Sequence, residues 1–161
     1  MTITKNSLLG THKIKGVIIQ PWRKNILFEG SFEYQEGDKS LEGMMEDFYG
    51  SSSVNGTLNF DSKEMNFTKI YLERNKNPFS YKFRKERDLW RGEYRAEGRF
   101  CGSSFCEVIK FGEKYKVDWE RDVNKFVMDE DSIGKYSSEL AREMENRGYV
   151  DITDDGKLIP K

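Results

Sequence analysis

Three charged residues are the strongest candidates for chemistry in this sequence, because their neighbours mark each position as apolar. They are Asp47, Lys69 and Glu107, which fall in step with large apolar side chains in alternating segments. Burying an unpaired charge is costly, so we expect these side chains to pair, to titrate, to bind water or to contact a ligand. Lys69 would then be the anchor for a polar or anionic ligand.

Aromatic residues share the face that carries these charges. The hydroxyls of Tyr49, Tyr71 and Tyr81 would form a polar floor, and aromatic rings would form the walls of a pocket. The predicted ligand-binding residues are Asp47, Tyr49, Phe67, Lys69, Tyr71, Tyr81, Phe83, Trp90 and Glu107. In this hypothesis the two carboxylates balance the lysine. The alternative is an internal ion pair with a few water molecules, or a charge that faces solvent.

Two adjacent carboxylates, Glu46 and Asp47, suggest an acid/base pair. Residues 41–49 alternate between two kinds of side chain, which predicts a strand, and successive side chains of a strand point to opposite faces. The two carboxylates therefore cannot act together. The run GSSS at 50–53 predicts a turn before the next strand.

Eight segments show the period of two that is typical of half-buried strands, and turn-forming residues separate them. The predicted strands are His12–Ile19, Ile26–Tyr34, Leu41–Tyr49, Val54–Phe60, Met65–Leu72, Phe79–Lys85, Leu89–Gly98 and Ser104–Phe111. Short loops without helical crossovers connect them, so the sheet must be antiparallel. Closing this sheet removes both open edges. We therefore predict a mainly β fold, an antiparallel up-and-down barrel of about eight strands.

The apolar faces of these strands define a predicted interior. Its members are Phe28, Phe32, Tyr34, Met45, Asp47, Tyr49, Leu58, Phe60, Met65, Phe67, Lys69, Tyr71, Phe79, Tyr81, Phe83, Trp90, Tyr94, Phe105, Glu107, Ile109 and Phe111. Glycines recur within the strands, where a barrel needs sharp bends or close packing.

The pattern changes after Phe111. Residues 115–127 fit either a last strand or a short helix. An N-cap at Asp131-Ser132 predicts a helix that ends at Gly148, and a hairpin would follow around Asp155-Gly156. We therefore expect a barrel domain over 1–127, with a C-terminal helix and hairpin over 128–161 packed on the same domain.

Composition and charge exclude several functions. The net charge is −1, so the whole chain sets up no field to attract nucleic acid or anionic lipid. The N-terminus shows no signal-peptide pattern, and no segment has the length and apolarity of a membrane span, so we expect a cytoplasmic protein without a membrane partner. Residues 74–91 are basic with interleaved aromatics, which leaves weak single-stranded nucleic-acid binding as a remote alternative.

Cysteine and histidine are too few for a zinc site with four Cys or His ligands. Cys101, Cys106 and His12 are the only cysteine and histidine residues, so a four-ligand Cys/His zinc site is excluded, and in a reducing compartment the cysteines should stay thiols. Neither a nucleophile elbow nor a phosphate-binding glycine loop is present. We therefore expect no cofactor, and the sequence leans against an enzyme without excluding one.

The strand pattern of residues 12–111 resembles calycin-type barrels, the group that includes lipocalins, fatty-acid-binding proteins and avidins. This resemblance implies a habit of binding small molecules inside the barrel. We therefore expect non-catalytic binding of a small polar or anionic ligand. The main alternative is a protein–protein interaction module whose barrel is packed shut and whose surface contacts another protein or an identical chain.

Overall fold

The computed structural model describes residues 11–20, 24–73 and 77–123 with their side chains, apart from the side chain of residue 100. It also describes the backbone of 150–152 and 158–160.

Eight antiparallel strands form a closed barrel. The strands are β1 (Thr11–Ile19), β2 (Ile26–Gln35), β3 (Ser40–Asp47), β4 (Gly50–Asn59), β5 (Glu64–Tyr71), β6 (Phe79–Glu86), β7 (Leu89–Ala96) and β8 (Arg99–Lys110). Each strand pairs with the next along the chain, and β8 pairs back onto β1. This arrangement confirms the predicted fold class, and each predicted strand overlaps the observed one.

The hairpin between β3 and β4 differs from the prediction. The serine run at 51–53 lies within β4 instead of forming a turn, and the two-residue loop is Phe48-Tyr49, because Asp47 pairs with Gly50. The loop is stabilised by Asp47 itself, since its Oδ1 accepts a hydrogen bond from the Tyr49 backbone amide at 2.8 Å. Ser52 is buried inside the barrel and donates to the Met45 carbonyl oxygen, so its hydroxyl is satisfied there.

The interior is filled mainly by large apolar side chains. The predicted interior residues that are buried include Phe28, Phe32, Met45, Leu58, Met65, Phe67, Tyr81, Phe83, Trp90 and Tyr94. Tyr34 and Phe79 are partly buried against the same core. Inward-facing glycines let neighbouring strands approach closely, and a Cβ added at Gly56 would lie 1.9 Å from the Asn66 carbonyl oxygen. An eight-stranded barrel is just wide enough for side chains to fill or for one small ligand to enter.

The predicted interior face of β8 is wrong. Cys106 and Val108 belong to the interior core, whereas Phe105 packs in a second cluster on the outside of the barrel. Alternation places Glu107 and Ile109 on the same outer face as Phe105. Each face of β8 packs against other parts of the protein, so both faces carry apolar side chains. Alternation alone could therefore not identify the inner face. Phe60 and Phe111 were also predicted inside, but they lie just beyond strand ends and are exposed.

The second cluster forms where residues 113–123 cross the outside of the barrel. We call these residues the strap. The strap contains the helix α1 (Trp119–Asp122), which answers the open choice for the described part of 115–127 in favour of a short helix. Trp119 is fully buried with Val17 and Ile19 of β1.

Two short strands form near the C-terminus, where the sequence predicts a hairpin. β9 (Val150–Ile152) and β10 (Leu158–Pro160) pair antiparallel, and Leu158 lies opposite Ile152. The predicted helix from residue 131 to 148 lies outside the described residues, as does the turn between β9 and β10. Within the described parts of the chain, no helix is both long enough and apolar enough to cross a membrane.

Candidate functional site

A buried ion pair joins β3 and β5 inside the barrel. Lys69 Nζ lies 2.8 Å from Asp47 Oδ2, and the two side chains are 1% and 0% exposed. The predicted partners therefore meet. Opposite charges that are both removed from water must satisfy each other and their remaining hydrogen-bonding capacity locally.

Two tyrosines complete the environment of this pair. Tyr71 Oη donates to Asp47 Oδ2 at 2.6 Å. The ammonium of Lys69 lies 4.7 Å from the centre of the Tyr71 ring and 5.1 Å from that of Tyr81, within range of cation–π attraction. We call Asp47, Lys69, Tyr71 and Tyr81 the polar cluster.

Both phenols of the polar cluster are held in their neutral form. Burial raises the pKa of Tyr71 above its ordinary value, and its hydrogen bond to the Asp47 carboxylate acts in the same direction. Burial also raises the pKa of Tyr81, with a further contribution from the negative charge of Asp47. The two hydroxyl groups therefore remain uncharged at neutral pH.

The polar cluster adjoins one end of the barrel, which we call the Asp47 mouth. The residues that border this end are Gln20 after β1, Asp47 at the end of β3, Tyr49 in the β3–β4 loop, Tyr71 at the end of β5 and Phe79 at the start of β6. The Tyr49 hydroxyl donates to Gln20 Oε1 at 3.2 Å. The predicted site residue Tyr49 thus belongs to the rim of the mouth and not to a strand.

A row of aromatic rings follows the Asp47 mouth. The ring centres of Tyr49 and Tyr71 are 6.4 Å apart, and those of Tyr71 and Phe79 are 6.0 Å apart. Phe79 in turn lies 6.4 Å from Tyr94. The row passes over the β3–β4 loop, β5, β6 and β7, so this end of the barrel carries aromatic rings on adjacent strands.

The predicted pocket walls lie deeper in the barrel. Phe67 stacks on Tyr81 with ring centres 4.9 Å apart, and Phe83 lies 5.8 Å from Phe67. Trp90 is 1% exposed in the same core. These rings pack against one another, so they support the polar cluster from below.

Glu107 does not belong to this site. Its Oε1 accepts hydrogen bonds from the Val117 amide at 2.8 Å and the Trp119 indole at 3.0 Å, and its Oε2 accepts from the Lys116 amide at 3.0 Å. The prediction that Glu107 balances Lys69 is therefore wrong. The carboxylate instead holds the strap against the outside of β8, and among the described residues Asp47 is the carboxylate that neutralises Lys69.

Several donors at the Asp47 mouth have spare capacity. Lys69 Nζ carries three N–H groups, of which Asp47 accepts one and the adjacent Tyr71 hydroxyl oxygen can accept a second, so one is left over. Gln20 Nε2 is buried and has no hydrogen-bond partner within the described part of the chain. Rotating the amide of Gln20 would exchange its oxygen and nitrogen but would still leave one of them unpaired. The site can therefore supply hydrogen bonds to a further molecule.

Sequence reasoning missed two members of the mouth. Gln20 follows directly after the last residue of β1, and only its position at the barrel end brings it to Tyr49. Phe79 was predicted as interior but not as a site residue. A polar residue one position beyond an apolar strand is a weak signal for a rim residue, and it could have identified Gln20.

The other candidate sites are not assembled by the structure. Cys101 and Cys106 lie on the same strand, roughly 16 Å apart at about 3.3 Å per residue, which is too far for a disulfide. In the basic stretch, the Tyr81, Phe83 and Trp90 rings are buried and are inaccessible to nucleobases. Within the described residues, His, Cys, Asp and Glu side chains form no cluster of three or more that could hold a metal ion.

The fold and the polar cluster define an up-and-down antiparallel β-barrel with a charged pair in its interior. No known protein-family model matches the chain, and a search of curated proteins finds no significant relative.

Proposed function

We propose that this protein binds a small polar ligand at the Asp47 mouth without transforming it. The observation that carries the proposal is the unused hydrogen-bonding capacity of Lys69 and Gln20 in a buried setting. Buried polar groups are ordinarily satisfied, and an unsatisfied one costs about 1–3 kcal/mol. A bound molecule with suitable acceptors would remove that cost.

The aromatic rim supports the same proposal. Ligand sites combine mostly apolar walls with a few convergent polar groups that fix the orientation of the ligand. At the Asp47 mouth, the rings of Tyr49, Tyr71 and Phe79 supply the apolar faces. The polar cluster then forms the floor, and the ligand would lie between the rim and this floor.

The proposal is tested by screening a fragment library with ligand-observed NMR and mapping hits on the amide resonances of the protein. We expect hits to shift the amides of residues 47–52 and 69–72. Gln20→Ala should weaken these hits by about 2- to 10-fold, the equivalent of one hydrogen bond of about 0.5–1.5 kcal/mol. Gln20→Ala removes the one hydrogen bond that Gln20 Oε1 accepts, from the Tyr49 hydroxyl, while Nε2 has no partner within the described residues, so stability should fall by only about 0.5–1.5 kcal/mol.

Gln35→Ala is the matched control. Gln35 is the same residue type, is exposed, and ends β2 at the opposite end of the barrel. Its replacement should leave fragment affinity unchanged. If no fragment shifts the amides of the Asp47 mouth, and native mass spectrometry of gently purified protein shows only the bare chain mass, the binding proposal is wrong. Function would then be sought on the outer surface, as in a closed interaction module.

A further inference from the structure

We infer that the ligand of the Asp47 mouth is an uncharged molecule that presents a hydrogen-bond acceptor beside a donor, such as a primary or cyclic amide attached to a flat ring. This inference rests on the proposed function and narrows it, because the sequence alone left polar and anionic ligands equally open.

Charge balance in the polar cluster is the first argument. Asp47 already neutralises Lys69 at 2.8 Å, and both side chains are almost fully buried. Glu107 lies on the outside of the barrel and contributes no charge to the interior. An anion at the mouth would therefore be attracted by the Lys69 ammonium but repelled by the Asp47 carboxylate. A cation would be attracted by Asp47 but repelled by Lys69.

Desolvation then favours a neutral ligand. Moving a charged group from water to a buried site is costly unless a net opposite charge compensates it. The Asp47–Lys69 pair has no net charge to offer. The Tyr71 hydroxyl adds none, because its pKa lies above the ordinary value. A charged ligand would thus lose hydration without an equivalent gain, whereas a neutral one would lose little.

The hydrogen-bonding groups at the mouth require that the ligand carry both an acceptor and a donor. Lys69 and Gln20 have spare N–H groups, which call for an oxygen acceptor on the ligand. Asp47 accepts from Lys69, Tyr71 and the Tyr49 amide, and a carboxylate has about four lone-pair sites, so one remains for a ligand donor. An amide group carries an acceptor and a donor side by side. The aromatic rim would cover the ring to which that amide is attached.

Three probes of nearly equal shape separate the possible charges. Benzamide is neutral, benzoate is an anion and benzamidinium is a cation at pH 7. Their dissociation constants for the full-length protein can be measured by NMR titration, with the amides of residues 47–52 and 69–72 as the readout. We expect benzamide to bind at least about tenfold more tightly than either ion, since about 1.4 kcal/mol corresponds to a factor of ten.

Variants that unbalance the pair should change the preferred charge. Asp47→Asn leaves a net positive site, so benzoate should gain affinity relative to benzamide, and Lys69→Met leaves a net negative site that should favour benzamidinium. The double variant is neutral again and should restore the preference for benzamide. Circular dichroism establishes that each variant is folded before titration, and the wild-type comparison decides the question where a variant does not fold.

The outcomes separate this inference from the proposed function. If benzoate or benzamidinium binds the wild-type protein more tightly than benzamide, the mouth binds ligands but the inferred neutrality is wrong. If library fragments bind at the mouth and none of the three probes does, the amide assignment is wrong. If neither fragments nor probes shift the mouth amides, the proposed function itself fails.

Discussion

The buried ion pair offers the sharpest test of the structure. Asp47→Asn removes the negative charge but keeps the side-chain shape, and Lys69→Met removes the positive charge but keeps most of the side-chain volume. Both residues have side chains no more than 1% exposed. Each single variant therefore leaves the partner charge buried without its counter-ion.

The expected cost follows from what each remaining charge still contacts. Removing one partner of a buried ion pair typically costs about 3–5 kcal/mol. In Lys69→Met, the Asp47 carboxylate keeps hydrogen bonds from the Tyr71 hydroxyl and the Tyr49 amide, so we expect a value near the lower end. In Asp47→Asn, the ammonium keeps only a neutral acceptor and the two aromatic faces, so we expect the higher value.

The assay is urea unfolding of the wild type, both single variants and the double variant, from which a coupling energy is obtained. Replacing both charges leaves neither one uncompensated, so the double variant should lose much less stability than the sum of the single losses. We expect a coupling of about 2–3 kcal/mol or more. The exposed Arg84–Glu64 pair is the matched control and should give less than about 1 kcal/mol in the same cycle.

Additive single effects would refute this reasoning. Single losses below about 1 kcal/mol would have the same meaning, since they would show that water already solvates one or both charges. Lys69 would then also react readily with amine-labelling reagents in the folded protein.

Three further predictions concern packing, the strap and pH. Gly56→Ala should cost at least about 1–3 kcal/mol in urea unfolding, because its Cβ would meet the backbone of the neighbouring strand, whereas Gly37→Ala should be nearly neutral because nothing lies within 4 Å of its Cβ. Glu107→Ala should cost about 3 kcal/mol or more and expose the buried strap tryptophan to acrylamide quenching, since three donors lose a charged acceptor, and Glu64→Ala should do neither. The free energy of unfolding should fall as pH rises above 10.0, the ordinary pKa of tyrosine, because Tyr71 has a raised pKa in the folded state and keeps a proton that the unfolded chain releases. Tyr71→Phe should make this decline with pH shallower, and an unchanged slope would contradict the prediction.

Strand alternation was sufficient to predict the barrel and the central ion pair. Lys69 and Asp47 were identified as interior charges because each alternates in step with large apolar residues, and the structure places both inside. The same rule separated Glu46, which is exposed, from Asp47. These predictions succeeded because only one face of β3 and β5 is apolar along most of the strand.

The rule failed where both faces of a strand are covered. On β8, Phe105 and Ile109 made the outer face look like an interior face, and the strap packs against Phe105 on that outer face. The serine run after Tyr49 failed for a related reason. Serines are typical of turns, but Gly50 pairs with Asp47 and draws the serines into β4, where the ladder satisfies their backbone.

The sequence by itself determined the number of strands, their antiparallel order and the presence of a charged pair among apolar residues, because these properties follow from local periodicity and from the cost of burying charge. Only the tertiary structure decided that Glu107 holds the strap, that Asp47 and not Glu107 neutralises Lys69, and that Gln20 reaches the same mouth. Those contacts join residues that are far apart in the chain, and their geometry depends on how the closed barrel aligns the ends of its strands.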